Sequence, residues 1–169
     1  MADMQHIFRQ ADIEDIAEIQ ALARRIWDEA FSEILSEEQI NYMLQMMYSE
    51  KVITKELLSG TVWELIVANG KPCGYLSYVL AEDNSVKLSK LYIEKDFRVT
   101  AIASGALGRV KQYAARNGRD YVFLTVNKNN KTAIRAYEKN GFAITASVVT
   151  DIGRGFVMDD YIMKYFVKP

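Results

Sequence analysis

Apolar residues recur along this chain in two periods, and the change from one to the other divides it near residue 60. Before that point the spacing is helical. Ile16, Ile19, Ala23, Ile26 and Trp27 share one stripe, and Ile40, Met43, Leu44 and Met47 recur at i, i+3, i+4 and i+7. Asp12 stands where an N-cap for the first helix belongs, and Ser36, three residues before Gln39, has the spacing of a capping box for the second. A short third helix is expected over 52–58, closed by Gly60, and a first strand over 5–10. Beyond residue 60 the pattern turns to strands. Expected strands at 61–68, 74–81 and 86–93 are joined by Asn69-Gly70, a strong two-residue hairpin signal, and by Asp83-Asn84, making an antiparallel meander. A loop over 94–100 then leads to a helix over about 101–116. Its buried side carries Ile102, Ala106, Val110, Tyr113 and Ala114, and Asn117-Gly118 stops it. A strand ending at Val126, a short helix and two last strands over 142–150 and 156–167 complete the chain. This order predicts an α+β fold with a central, mostly antiparallel sheet flanked by helices.

Composition narrows the function. The 169 residues, half hydrophobic and a quarter charged, fit a single globular domain over 1–169. With 21 basic and 22 acidic residues the net charge is −1, which offers no surface for nucleic acid or for an anionic membrane. No apolar run reaches membrane-spanning length. Asp3, Asp12, Glu14, Asp15 and Glu18 fall where a signal peptide needs an apolar core, so a cytoplasmic location is expected. The single Cys73 cannot form an internal disulfide, and its place between Pro72 and Gly74 reads as a turn or strand start rather than a nucleophile. His6, the lone histidine, has no acidic or cysteine partner nearby in sequence, which argues against a metal site or a histidine-based triad.

Candidate chemistry gathers in LTVNKNNKTAIRAYEKNGF, residues 124–142. Asn127, Lys128, Asn129 and Asn130 break an apolar strand with turn and cap residues; Ala133, Ile134 and Tyr137 then share one helical face, and Gly141 closes the helix. Taken alone, this is also what a generic strand–helix unit with Tyr137 packed on the sheet would show. The spacing Val126, Asn130, Ala133, Tyr137, Gly141-Phe142 resembles the C-terminal motif of the GCN5-related N-acetyltransferases, the GNAT family. The element order matches that family's fold from about Ile7 onward.

The resemblance implies roles for particular residues. In the family the loop before the long helix reads Arg or Gln, two residues, Gly, one residue, Gly or Ala, and it wraps the pyrophosphate of coenzyme A. Here Arg98, Val99, Thr100, Ala101, Ile102 and Ala103, followed by Ser104, hold that place, with Ala101 where Gly is expected. Such a loop joins unpaired N–H groups to the positive end of a helix dipole, which suits a pyrophosphate. Leu91, Tyr92 and Ile93 would offer backbone groups to the pantetheine arm, splayed from the next parallel strand, with Asn130 and Ala133 also against the cofactor. Tyr137 would protonate the departing thiolate as general acid. The family's usual base, a Glu eleven residues before the loop Arg, is replaced by Lys87, leaving Glu82 and Glu64 as substitutes. Trp27, Phe31, Tyr42, Tyr78 and Tyr161 are positional candidates for an aromatic acceptor pocket, although each taken singly reads as core before it reads as a ligand contact.

The implied activity is transfer of an acetyl group from acetyl-CoA to a primary amine of a small molecule or peptide, by direct attack in a ternary complex. No nucleophile is in place for a covalent route. A homodimer stays open. The alternative is a non-catalytic acyl-CoA or ligand-binding module: Val99, Ala101 and Lys87 favour it, and Tyr137 and Asn130 oppose it.

Overall fold

The computed structural model describes residues 5–98 and 100–169. Strand β1 (His6–Gln10) is followed by a 3-10 turn (Ile13–Asp15) and three helices, α1 (Ile16–Phe31), α2 (Glu37–Tyr48) and α3 (Glu50–Leu58). The meander is β2 (Val62–Ala68), β3 (Lys71–Ala81) and β4 (Ser85–Ile93). After a second 3-10 turn (Lys95–Phe97) come α4 (Thr100–Arg116), β5 (Tyr121–Asn127), α5 (Lys131–Lys139), β6 (Ala143–Gly153) and β7 (Phe156–Phe166).

The caps that start these helices are polar side chains the sequence makes visible. Asp12 accepts from the Glu14 N–H at 2.9 Å while Asp15 accepts from the Asp12 N–H at 3.0 Å, a reciprocal pair that opens the 3-10 turn ahead of α1. Ser36 accepts from the Gln39 N–H at 3.1 Å, but the Gln39 amide donates to the Val157 carbonyl at 2.8 Å. The expected capping box is therefore used by half, its second arm spent on tying α2 to β7. The returning strand of the meander starts at Lys71, because Asn69 (φ 53°) and Gly70 (φ 77°) turn the chain in two residues. Strand β6 likewise runs longer than expected, to Gly153, ahead of a turn at Arg154 (φ 55°) and Gly155 (φ 79°), while β7 starts at Phe156 as expected.

The strands form one seven-stranded sheet in the order β1-β2-β3-β4-β5-β7-β6, antiparallel everywhere except between β4 and β5. Alternation along β2 separates two cores. Trp63 and Leu65 pack with α1, α2 and α3, while Ile66 and Ala68 pack with α4 through Ile102, Ala106, Leu107 and Val110. On β4 this alternation is broken on purpose. Tyr78 pairs with Leu88 and Ser77 with Lys90, so Ser89 is an extra residue, a bulge. Val86 and Leu88 face α4 before the bulge, and Ile93 does so after it, which turns Lys90 and Tyr92 toward α1–α3.

Candidate active site

The parallel β4–β5 pairing lasts only from Ser85 to Lys87 against Tyr121 to Phe123. Beyond it the strands diverge, and a cleft of about 690 Å³ opens between Leu88–Ile93 and Leu124–Asn127. Strand edges that part in this way leave backbone N–H and C=O groups without ladder partners, and such groups need a substitute partner. Leu91, Tyr92 and Ile93 all line the opening.

One end of the cleft meets the start of α4. Ala103 and Ser104 line it; Ile102 is wholly buried under the helix and anchors it to the core, while Ala101 is exposed on the first turn. Thr100 begins the helix, and Val99 lies outside the described residues. Arg98 reaches the cleft, but its guanidinium is committed: Nε donates to the Ile93 carbonyl at 2.8 Å and the terminal nitrogens bind Glu29 of α1. That hydrogen-bonded pairing holds the Glu29 carboxyl below its ordinary value. Arg25 on the same helix binds Glu94 at 2.7 Å, so two ion pairs clamp the loop to α1. With Arg98 so engaged, the anion-binding capacity of this corner rests on the first N–H groups of α4 and their dipole.

The other wall is α5. The Asn130 side chain accepts from the Ala133 N–H at 3.2 Å, capping the helix with its oxygen and leaving the Nδ2 nitrogen as the group that can turn to a ligand. Asn130, Ala133 and Tyr137 all line the cleft, as spacings of three and seven residues on one helix face require. Tyr137 packs edge-on against Phe142 with ring centres 5.8 Å apart, and burial pushes its phenol up to about 12. It therefore keeps its proton at neutral pH.

On the α1–α3 side the cleft widens into an apolar lobe bounded by Trp27, Phe31, Leu35, Met43, Met47 and Met158. Trp27 stacks on Phe31 (4.8 Å) and Tyr92 (5.6 Å), so both expected aromatic residues of α1 reach the lobe. The other three aromatic candidates do not. Tyr78 lies on the opposite face of the sheet, donating to Glu64 at 3.0 Å and packing on Tyr113; Tyr42 donates to the Ile152 carbonyl; Tyr161 sits under Lys128. The substitutes for a base fail similarly. Glu64 is buried in a bidentate pair with Arg109, and Glu82 is exposed beyond the closed end of the β4–β5 pairing. Lys87 does line the cleft. Burial pushes the Cys73 thiol up to about 11, so it is a poor nucleophile.

Three polar residues of the cleft escaped the sequence reading. Lys90, nearly buried, lies 3.6 Å from Glu56 and over the rings of Tyr48 and Trp63; burial lowers its ammonium, which the Glu56 carboxylate opposes. Asp160 of β7 is 5% exposed and faces the same space. The available signal was period two: Asp160 falls between Met158 and Ile162 on one face of the strand, a carboxylate between two apolar positions.

A sheet opened between parallel strands, a helix start at one end and a tyrosine on the next helix meet in this one cleft. The model of the acetyltransferase (GNAT) family matches residues 16–142, and the chain belongs to that family. An uncharacterized N-acetyltransferase of Mycobacterium bovis is 34% identical over 95 residues, covering 56% of this chain; the chain spans about 60% of that relative's length. A spermidine N(1)-acetyltransferase of Thermoplasma acidophilum is 25% identical over 156 residues, covering 89% of this chain and 94% of its own. Among solved structures, the PaiA N-acetyltransferase of Thermoplasma acidophilum in complex with coenzyme A superposes with a TM-score of 0.82 at 22% identity, covering 96% of this chain and 99% of that one, so the fold is shared.

Proposed function

We propose that this protein is an acetyl-CoA dependent N-acetyltransferase that acetylates a primary amine of a small molecule or peptide by direct attack in a ternary complex. The observation that carries the reading is the convergence of the parted β4–β5 edges, the α4 start and Tyr137 on one cleft. Bound acetyl-CoA supplies an activated thioester. The backbone edge of Leu91 to Ile93 pairs with the amides of its arm, the first turn of α4 receives the pyrophosphate, and the Asn130 amide nitrogen steadies the chain between them. Tyr137 holds a proton at Oη for the departing sulfur. The high thiol pKa of Cys73 supports direct attack over a covalent route.

Isothermal calorimetry with acetyl-CoA, followed by mass detection of acetylated amines, tests this. Ala101→Asp places a carboxylate on the exposed first turn of α4, where it opposes the phosphates, and roughly tenfold or greater weakening of acetyl-CoA is expected with the melting temperature little changed. Equal affinity in that variant would remove the pyrophosphate from this corner. Absence of acetyl-CoA binding by the unmodified protein would sink the enzyme reading and leave a non-catalytic module.

Lys87 offers a second, contrasting expectation. As a cation on the cleft rim it supplies no base, so Lys87→Ala should keep kcat within about threefold. Abolished turnover with both substrates still bound would make Lys87 a base or an anchor.

A further inference from the structure

The cleft is lined by three carboxylates, and two of them are neutralised. Glu29 is paired with Arg98, and Glu56 with Lys90. Asp160 is different: it is buried to 5% exposure, and its carboxylate makes no hydrogen bond or ion pair among the described residues. Lys128, the cation whose charge acts on it, is bound at 2.8 Å to the neighbouring Asp159 instead. A buried carboxylate without a partner is costly, and a protein that keeps one in a ligand cleft has left room for a ligand cation. Its position agrees. Tyr92, whose ring stacks on Trp27 and Phe31 in the apolar lobe, is within electrostatic reach of both Tyr137 and Asp160. The carboxylate, the proposed acid and Tyr92 all line the one cleft.

We propose that Asp160 seats the amino group of the acceptor and takes its proton, and that the acceptor is a primary monoamine with an apolar body. This rests on the acetyltransferase reading above. An ammonium becoming an amide sheds two protons while its nitrogen forms the C–N bond and the C–S bond breaks. One proton leaves through Asp160 to solvent; the other balances the proton that Tyr137 gives to sulfur. The body of the acceptor lies against Trp27, Phe31, Met43, Met47 and Met158. A polyamine would bring a second ammonium to a lobe whose remaining carboxylate, Glu56, already holds Lys90.

Desolvation, with Asp159 adding to it and Lys128 opposing it, raises the Asp160 carboxyl to about 6. The charged and titratable groups that act on it or share its surroundings are Asp159, which points to the other side of the same strand, Lys128 after β5, Tyr92 on β4 and, through Tyr92, Tyr137 on α5. Because the folded-state value is raised, ionised Asp160 costs stability, fully so above about 6 and not at all below the ordinary carboxyl value of 3.8.

The test compares Asp160→Asn and Asp160→Glu with the unmodified protein, using phenethylamine and spermidine as acceptors. Acetyl-CoA affinity should be unchanged in both variants. In Asp160→Asn, kcat/KM for phenethylamine should fall roughly 100-fold or more, with loss of the limb that rises through about 6 in the unmodified protein, and Asp160→Glu should restore part of it. Apart from activity, Asp160→Asn should melt higher than the unmodified protein at pH 8, the difference vanishing near pH 4. An Asn variant with full rate and the same pH limb would overturn the role of Asp160, and a preference for spermidine would overturn the acceptor class. If the unmodified protein binds no acetyl-CoA, the underlying reading fails and this proposal with it.

Discussion

Tyr137→Phe is expected to lower kcat by roughly 100-fold or more while acetyl-CoA binds as before, within the usual range for loss of a positioned general acid. The packing argument separates the two effects. The ring lies edge-on to Phe142 at 5.8 Å, a contact that phenylalanine keeps, and Asn130 and Ala133 still present α5 to the cofactor. Only the hydroxyl is lost. Burial pushes that hydroxyl up to about 12, so it stays protonated across the range in which an amine can be assayed. An acid works only in its protonated form; the rate should therefore show no falling limb from this group until the pH approaches 12. Stopped-flow detection of free thiol in the two proteins, with acetyl-CoA affinity measured alongside, decides the matter. A phenylalanine variant that turns over at full rate would assign the proton to water.

What could be read from the sequence was whatever acts locally. Asp12, Ser36 and Asn130 cap the turns they precede because their short polar side chains reach N–H groups two or three residues away. Asn69-Gly70 and Asp83-Asn84 turn the meander because they tolerate positive φ, and they do. Asn130, Ala133 and Tyr137 meet the cleft because helix geometry alone puts them on one face. What escaped depends on partners distant in sequence. Glu64 resembles any strand carboxylate until Arg109, forty-five residues on, pairs with it. Tyr78 is indistinguishable from Trp27 as a pocket aromatic until the sheet assigns them to opposite faces. The bulge at Ser89 has no decisive local signature, since a single serine inside a strand pattern does not interrupt it; yet it decides that Lys90 and Tyr92 point to the acceptor lobe. Asp160 hides in a charged dipeptide whose two members the strand sends to opposite sides.

The closest backbone approach beside the site gives the largest structural effect expected. A Cβ built on Gly74 would stand 2.5 Å from the Tyr92 carbonyl oxygen, 3.1 Å from the Ile93 Cα and 3.3 Å from the Ile66 side chain. Two of the three obstacles are backbone of β4, so no rotamer change relieves them; the strands must move apart. Gly74 pairs with Ile93 on one side and Ile66 on the other, in the middle of the sheet. Gly74→Ala should therefore destabilise the protein by about 1–3 kcal/mol, the cost of overpacking, and lower the melting temperature by roughly 3–10 °C. Because the displaced residues are Tyr92 and Ile93, which edge the cleft, acetyl-CoA affinity should fall in the same variant. Gly108→Ala is the matched control. It lies within α4, a Cβ there meets nothing within 4 Å, and alanine loses less entropy on entering a helix, so this variant should gain roughly 0.5–1 kcal/mol and bind acetyl-CoA unchanged. Thermal melts of the pair should move in opposite directions; a Gly74→Ala protein that melts with the unmodified chain would mean that β3 and β4 do not approach so closely beside Tyr92.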